Sequence, residues 1–230
     1  MRSAHWLAVA AALAAWAAAG DALAQHSGLT WNGPGTCLQC HTGQALDVHG
    51  SAHYQWEGAA PYQVDGPVEQ GKLRTALNSY CVNVLGNWGA CGSCHVGLGA
   101  APTRETSLAQ LQNIDCLVCH QEGYRRRRDA SGKFVPDTAS MTITMDQAVQ
   151  TVHKPTRAAC LQCHGRGGGG DNYKRGDLAV AHGSTTDRNF DVHMSTRGAN
   201  LTCQKCHRVS DHRIAGRGVD LIVDEGVPMH

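Results

Sequence analysis

Hydrophobic positions are concentrated at the start of the chain and sparse afterwards. Residues 6–19 form an almost unbroken apolar run, preceded by Arg2 and followed by the small-x-small triplet Ala22-Leu23-Ala24. The run is short for a membrane span of about 20 residues, so it reads as a leader peptide whose cleavage leaves Gln25 first. Residues 1–24 are thus expected to be removed, with 25–230 forming one soluble domain that has no membrane span, exported to the periplasm or the cell exterior. Beyond the leader, periodicity is weak. Helices are predicted over 105–114 and 144–153. The second opens on a capping box, Thr144 with Gln147, carries Ala148, Val149 and Val152 as its apolar stripe, and ends on His153. Short helices are also expected around five Cys-x-x-Cys-His segments. The five glycines within 165–170 preclude regular structure. A phosphate cradle there is excluded, because neither a Gly-Lys-Ser/Thr sequence follows nor a strand precedes.

Composition sharpens this picture. Of 230 residues, two are Phe, 5% are aromatic and 27 are Gly. Such a chain struggles to bury enough apolar surface to offset its conformational entropy. Large flat apolar cofactors can supply the missing core, which makes the polypeptide a wrapper. The formal charge of +1 gives no footprint for nucleic-acid binding.

The cofactor is named by the five segments: Cys37-Leu38-Gln39-Cys40-His41, Cys91-Gly92-Ser93-Cys94-His95, Cys116-Leu117-Val118-Cys119-His120, Cys160-Leu161-Gln162-Cys163-His164 and Cys203-Gln204-Lys205-Cys206-His207. Two cysteines three apart form thioethers to the two vinyl groups of one porphyrin, and the adjacent His ligates iron from below. Zinc knuckles do not require His after every second Cys. Redox dithiols occur once, near a βαβ pattern that is absent here. Structural disulfides suit a two-residue loop poorly, and eleven cysteines would leave one unpaired. Five covalently attached haems c are therefore expected, and their propionates, about ten negative charges, would make the loaded protein acidic. Cys81 is left without a porphyrin, its bland role being a buried small hydrophobe. The four arginines from Arg125 to Arg128 read as a solvated loop, with partner docking or propionate pairing as the alternative.

Each iron also needs a distal ligand. Outside the motifs the mature chain offers His26, His49, His53, His153, His182, His193, His212 and His230. His26 and His230 are discounted because they lie at the two ends. His49 and His53 are four apart and would share one helical face. His153, His182, His193 and His212 complete a set of six internal candidates for five irons.

Several further stretches resemble the octahaem tetrathionate reductase family of periplasmic cytochromes. They are Gly50-Ser51-Ala52-His53-Tyr54-Gln55-Trp56, Asn78-Ser79-Tyr80-Cys81-Val82-Asn83, Asn113-Ile114-Asp115 leading into the third motif, Gly167-Gly168-Gly169-Gly170-Asp171-Asn172-Tyr173-Lys174-Arg175-Gly176-Asp177-Leu178, and Asp191-Val192-His193-Met194. The resemblance runs from about Cys37 to Leu221. It implies a mainly α fold with extensive coil, short helices and loops wrapping a chain of closely packed haems. It also implies that most haems are bis-His ligated, while one catalytic haem takes Lys174 as distal ligand beside the Cys81 thiol. That haem would be the one on Cys91, Cys94 and His95. The chain departs from the family in carrying five motifs instead of eight.

Two functions follow as expectations. One is an electron carrier whose partners are redox proteins, either a quinol oxidase-type donor or other cytochromes. The other is a reductase of a small sulfur or nitrogen oxyanion (tetrathionate-, nitrite- or hydroxylamine-like) at the Lys174 haem.

Overall fold

Wherever a Cys-x-x-Cys-His segment occurs, the backbone turns helical. In this computed structural model, residues 26–59, 64–71, 73, 86, 88–99, 101–165, 178 and 183–214 are described. Helix α1 (Gly35–His49) carries the first motif, and α2 (Ala52–Gln55) follows it. Strand β1 (Glu57–Ala59) pairs antiparallel with β2 (Glu69–Gly71). Helix α3 (Trp88–Cys91) runs into a 3-10 turn (Gly92–Cys94) and carries the second motif. After α4 (Leu108–Gln112), α5 (Leu117–His120) carries the third. Strands β3 (Arg126–Arg128) and β4 (Phe134–Pro136) form a second antiparallel pair. Helix α6 (Met145–Gln150) precedes α7 (Arg157–His164), which carries the fourth motif, and α8 (Cys203–Cys206) carries the fifth. A small hairpin of β5 (Val209–Ser210) and β6 (Arg213–Ile214) ends the described chain. The architecture is thus mainly helical with coil, and its strands are short pairs.

Local signals account for the helix bounds. Thr144 accepts from the Gln147 backbone N–H and the Gln147 side chain returns to the Thr144 N–H, which completes the expected capping box. The helix stops at Gln150, so His153 lies beyond it. The 105–114 helix is shorter than predicted because the Ser107 hydroxyl caps at Gln110 N, and Ile114 leaves the helix to bridge Gly97.

Two expectations fail here. His49 and His53 do not share a helical face, because α1 ends at His49 and the chain turns at Gly50 and Ser51 before α2 begins. The arginine run is not a solvated loop: residues 126–128 form β3, and the Arg126 side chain is 8% exposed.

The buried cluster joins Tyr54, Val96, Leu111, Ile114, Leu117, Val118, Tyr124 and Val149, with Leu38, Cys116 and Cys119 packed at its edge. The first and third motifs therefore border the core directly. Tyr54 is fully buried and ties α2 to α4: its hydroxyl donates to the Gln110 carbonyl at 3.0 Å and accepts from Asn113 Nδ2 at 3.1 Å. Helix α1 packs on α4, while α7 packs on both α5 and the 3-10 turn. The second, third and fourth motifs are brought together in this way.

Candidate functional site

One helical turn places the two cysteines of a motif on the same face, since residues three apart are neighbours there. The adjacent His leaves the helical path in three of the five motifs, while His120 and His164 are the last residues of α5 and α7. His41 does so inside α1, at φ −118 and ψ 36, and His95 does so as an extended residue at φ −75 and ψ 140. His207 sits at φ −87 and ψ 88. All ten motif cysteines are free of disulfides.

Thiols of different motifs nevertheless meet. Cys37 lies beside Cys116, Cys94 beside Cys163 and Cys160 beside Cys203, each close enough to perturb the other's thiol. The neighbouring Cys163 is the chief reason the Cys94 thiol is pulled down to about 6. Cys160 does the same for Cys203, also to about 6. Attachment points of the first and third, second and fourth, and fourth and fifth motifs are thus in contact.

The histidines supply the test of whether these residues fit haem. His41 stacks with His26 at a centroid separation of 6.0 Å, His164 meets His53 at 6.1 Å, and His120 meets His212 at 6.3 Å. A ligating imidazole nitrogen sits about 2 Å from its metal, and its ring centroid lies about 1 Å further back, so two trans imidazoles on one iron stand about 6 Å apart. Each pair joins one motif His to one His from elsewhere. Among the described residues no three His, Cys, Asp or Glu side chains converge to hold a bare metal ion. Facing pairs with the remaining positions left to a macrocycle are compatible with histidine ligation of haem at three of the five motifs; at the second, His95 Nε2 already donates to the Tyr54 carbonyl.

The His120–His212 pair is oriented from both sides. His120 Nδ1 donates to the His153 carbonyl at 2.8 Å, and His212 Nδ1 lies 4.0 Å from Asp47 Oδ2. The hydrogen bond on Nδ1 leaves Nε2 of His120 as the nitrogen open to a metal, the kind of outer-shell contact that holds metal-binding imidazoles in one tautomer. Burial lowers the pKa of His120, with the facing His212 acting the same way. Burial and then His164 lower that of His53. Both rings are thereby held in the neutral form that binds metal. His212 is presented by the two-residue turn between β5 and β6, where Asp211 (φ 49) and His212 (φ 59) are both left-handed, as a type I′ hairpin requires.

His95 is different. It is 1% exposed, with Nε2 donating to the Tyr54 carbonyl at 2.6 Å and Nδ1 left without a partner. The rings of Tyr54, Trp88 and Trp56 stand 4.9, 5.0 and 5.6 Å away. Burial drives its pKa down to about 4. Gly97 permits this packing, because a Cβ there would meet His95 Cε1 and Nδ1 at 2.8 Å. Trp56 itself is left-handed at φ 52. No second histidine ring faces His95 among the described residues.

Of the predicted distal ligands, His53 and His212 are therefore brought to motif histidines. His49 is not: it is buried, its ring 5.4 Å from that of Tyr54, and its carbonyl accepts from Gln55 Nε2 at 2.9 Å. His153 serves through its backbone, holding His120, while its own Nδ1 donates to the Lys154 carbonyl. His193 is exposed and meets no motif histidine among the described residues. His182, Lys174 and Cys81 lie outside the described residues. His26, set aside in the sequence for its position near the chain end, is brought to His41; nothing in its local sequence marks it.

No family model matches the chain. A curated relative, an uncharacterized protein of Archaeoglobus fulgidus, is 27% identical over 258 residues that cover 88% of this chain and 82% of the relative. Among solved structures, the octaheme cytochrome c from Shewanella oneidensis superposes with a TM-score of 0.64 at 29% identity over 84% of this chain. The chain spans 42% of that protein's length. No described helix is long and apolar enough to cross a membrane. The fold, the five motifs and this structural likeness together relate the chain to the multihaem c-type cytochromes, and they imply haem c as its prosthetic group.

Proposed function

We propose that the chain is an exported cytochrome in which residues 25–230 hold five haems c and carry electrons between redox partner proteins, such as a quinol oxidase-type donor or other cytochromes. The observation that carries the reading is the set of three histidine pairs 6.0–6.3 Å apart, each anchored on a Cys-x-x-Cys-His segment. Haem supplies a one-electron couple when bound. With haem bound, each cysteine pair would hold one ring, and His26, His53 and His212 would serve with His41, His164 and His120 as histidine ligands. A filled sixth position keeps geometry constant between oxidation states and leaves no site for small molecules, which suits a carrier.

One observation favours a second reading beside it. His95 has only aromatic neighbours and the Tyr54 carbonyl around its ring among the described residues. The haem on Cys91 and Cys94 would then take the non-histidine ligand that the tetrathionate reductase resemblance implies, Lys174, with Cys81 beside it. In that role Lys174 must be neutral, which burial favours. The Trp56 and Trp88 rings would exclude water from the His95 side. A small sulfur or nitrogen oxyanion would be the substrate.

Intact mass of the mature protein tests the first reading. It should exceed that of the 25–230 polypeptide by five haems, resistant to acid-acetone extraction; four or fewer refutes the count. Lys174→Ala tests the second. One haem of five should become high-spin and bind added cyanide or nitrite, and a spectrum matching wild type removes the reductase reading.

A further inference from the structure

Arg126 is the one member of the arginine run that turns inward. Its guanidinium donates to the Ser93 carbonyl at 2.7 Å, inside the second motif, and to the Gly97 carbonyl at 3.3 Å. It pairs with Asp115 Oδ2 at 3.3 Å, immediately before the third motif. The Phe134 ring on β4 lies 5.3 Å from the guanidinium carbon and packs against it. A cleft of about 180 Å³ beside it is lined by Ser93, Val118, Arg126, Gln162 and Cys163, so the second, third and fourth motifs all reach this point. Asp115 is the anion paired with Arg126, and its side chain is 1% exposed.

We propose that Arg126 sets the reduction potentials of the haems on the second, third and fourth motifs, holding them above the values they would have without a buried cation at their junction. The proposal rests on reading the motifs as haem sites. Each haem gains one electron on reduction, so a fixed positive charge nearby favours the reduced form. Water is largely excluded around an 8% exposed side chain, so the charge is weakly screened. Arg126 is a positioning residue as well, since it links Ser93 to Asp115 and thereby fixes the second motif against the third.

Charge and position separate in a spectropotentiometric titration of the loaded protein at pH 8, followed by electron paramagnetic resonance to resolve individual haems. The titrant supplies one electron per haem. Arg126→Gln should keep five haems, measured independently by haemochrome assay, and shift at least one midpoint negative. The reduced-to-oxidised ratio at fixed potential should change roughly tenfold. Arg126→Lys should restore most of the shift despite its poorer hydrogen bonding. Asp115→Asn removes the opposing charge and should shift the same midpoints positive. Shifts of opposite sign in the Gln and Asn variants are the electrostatic signature, because simple disruption moves both the same way. Unchanged midpoints in both variants at full haem content overturn the proposal, as do shifts of the same sign. If Arg126→Gln fails to load haem, the Asp115→Asn midpoints decide: a positive shift supports the proposal and no shift overturns it. A wild-type content below five haems refutes the haem reading instead.

Discussion

Replacing His212 with Ala isolates a single axial pair. The hairpin that carries His212 has little else to hold it. Val209 and Ile214, the paired residues at its base, remain 49% and 42% exposed. Full burial of such side chains contributes about 1.5–3 kcal/mol each, so half-burial gives about 1.5–3 kcal/mol for both. Against this, the left-handed Asp211 and His212 cost about 1–2 kcal/mol each, at the lower end for these residue types. The two sums nearly cancel, and an isolated two-stranded hairpin is marginal in water. On the proposed haem reading, an iron bond at His212 is then what closes the hairpin over Asp47 and His120. The variant should fold and keep five haems, because the attachment cysteines Cys116 and Cys119 and the adjacent His120 are untouched. In the ferric spectrum one haem should turn high-spin and titrate with cyanide at one equivalent. Hydrogen exchange should show amide protection lost across 209–214 and unchanged over α1 and α4. A fully low-spin spectrum, with cyanide uptake no different from wild type, would refute the pairing of His212 with His120 and the 6.3 Å geometry behind it.

Two other substitutions probe neighbouring sites. His26→Ala should also expose one haem to cyanide, and it should add to His212→Ala, two equivalents in the double variant, because the two pairs share no ligand; a single equivalent in the double variant sinks the His26 assignment. Gly97→Ala should lower stability by about 1–3 kcal/mol through overpacking, since its Cβ would press on a His95 ring that is 1% exposed, and it should perturb one haem spectrum; thermal melts and optical spectra matching wild type would show that His95 can yield.

The features legible in the sequence were those that depend on a few adjacent residues. Attachment chemistry needs two thiols and an imidazole within five positions, so all five motifs and the helical turns that bear them could be read directly. The Thr144–Gln147 capping box is local in the same way and formed as expected. The likeness to an octahaem cytochrome was legible because such short stretches recur in order. Which histidine faces which motif was not legible. His53 meets His164 and His120 meets His212 across long separations in the chain, and spacing carries no information about such encounters. Helical spacing even misled at His49 and His53, because the chain breaks at Gly50 between them. His26 lost its place to an argument from chain position, yet its ring stacks on His41. The arginine run looked like a solvated surface because four like charges repel and seek water. Only the tertiary structure turned one of them inward, where the Asp115 carboxylate, two carbonyls and the Phe134 ring outweigh the loss of its hydration. Covalent attachment is decided within a helical turn, whereas axial pairing and buried charge depend on which distant segments pack together.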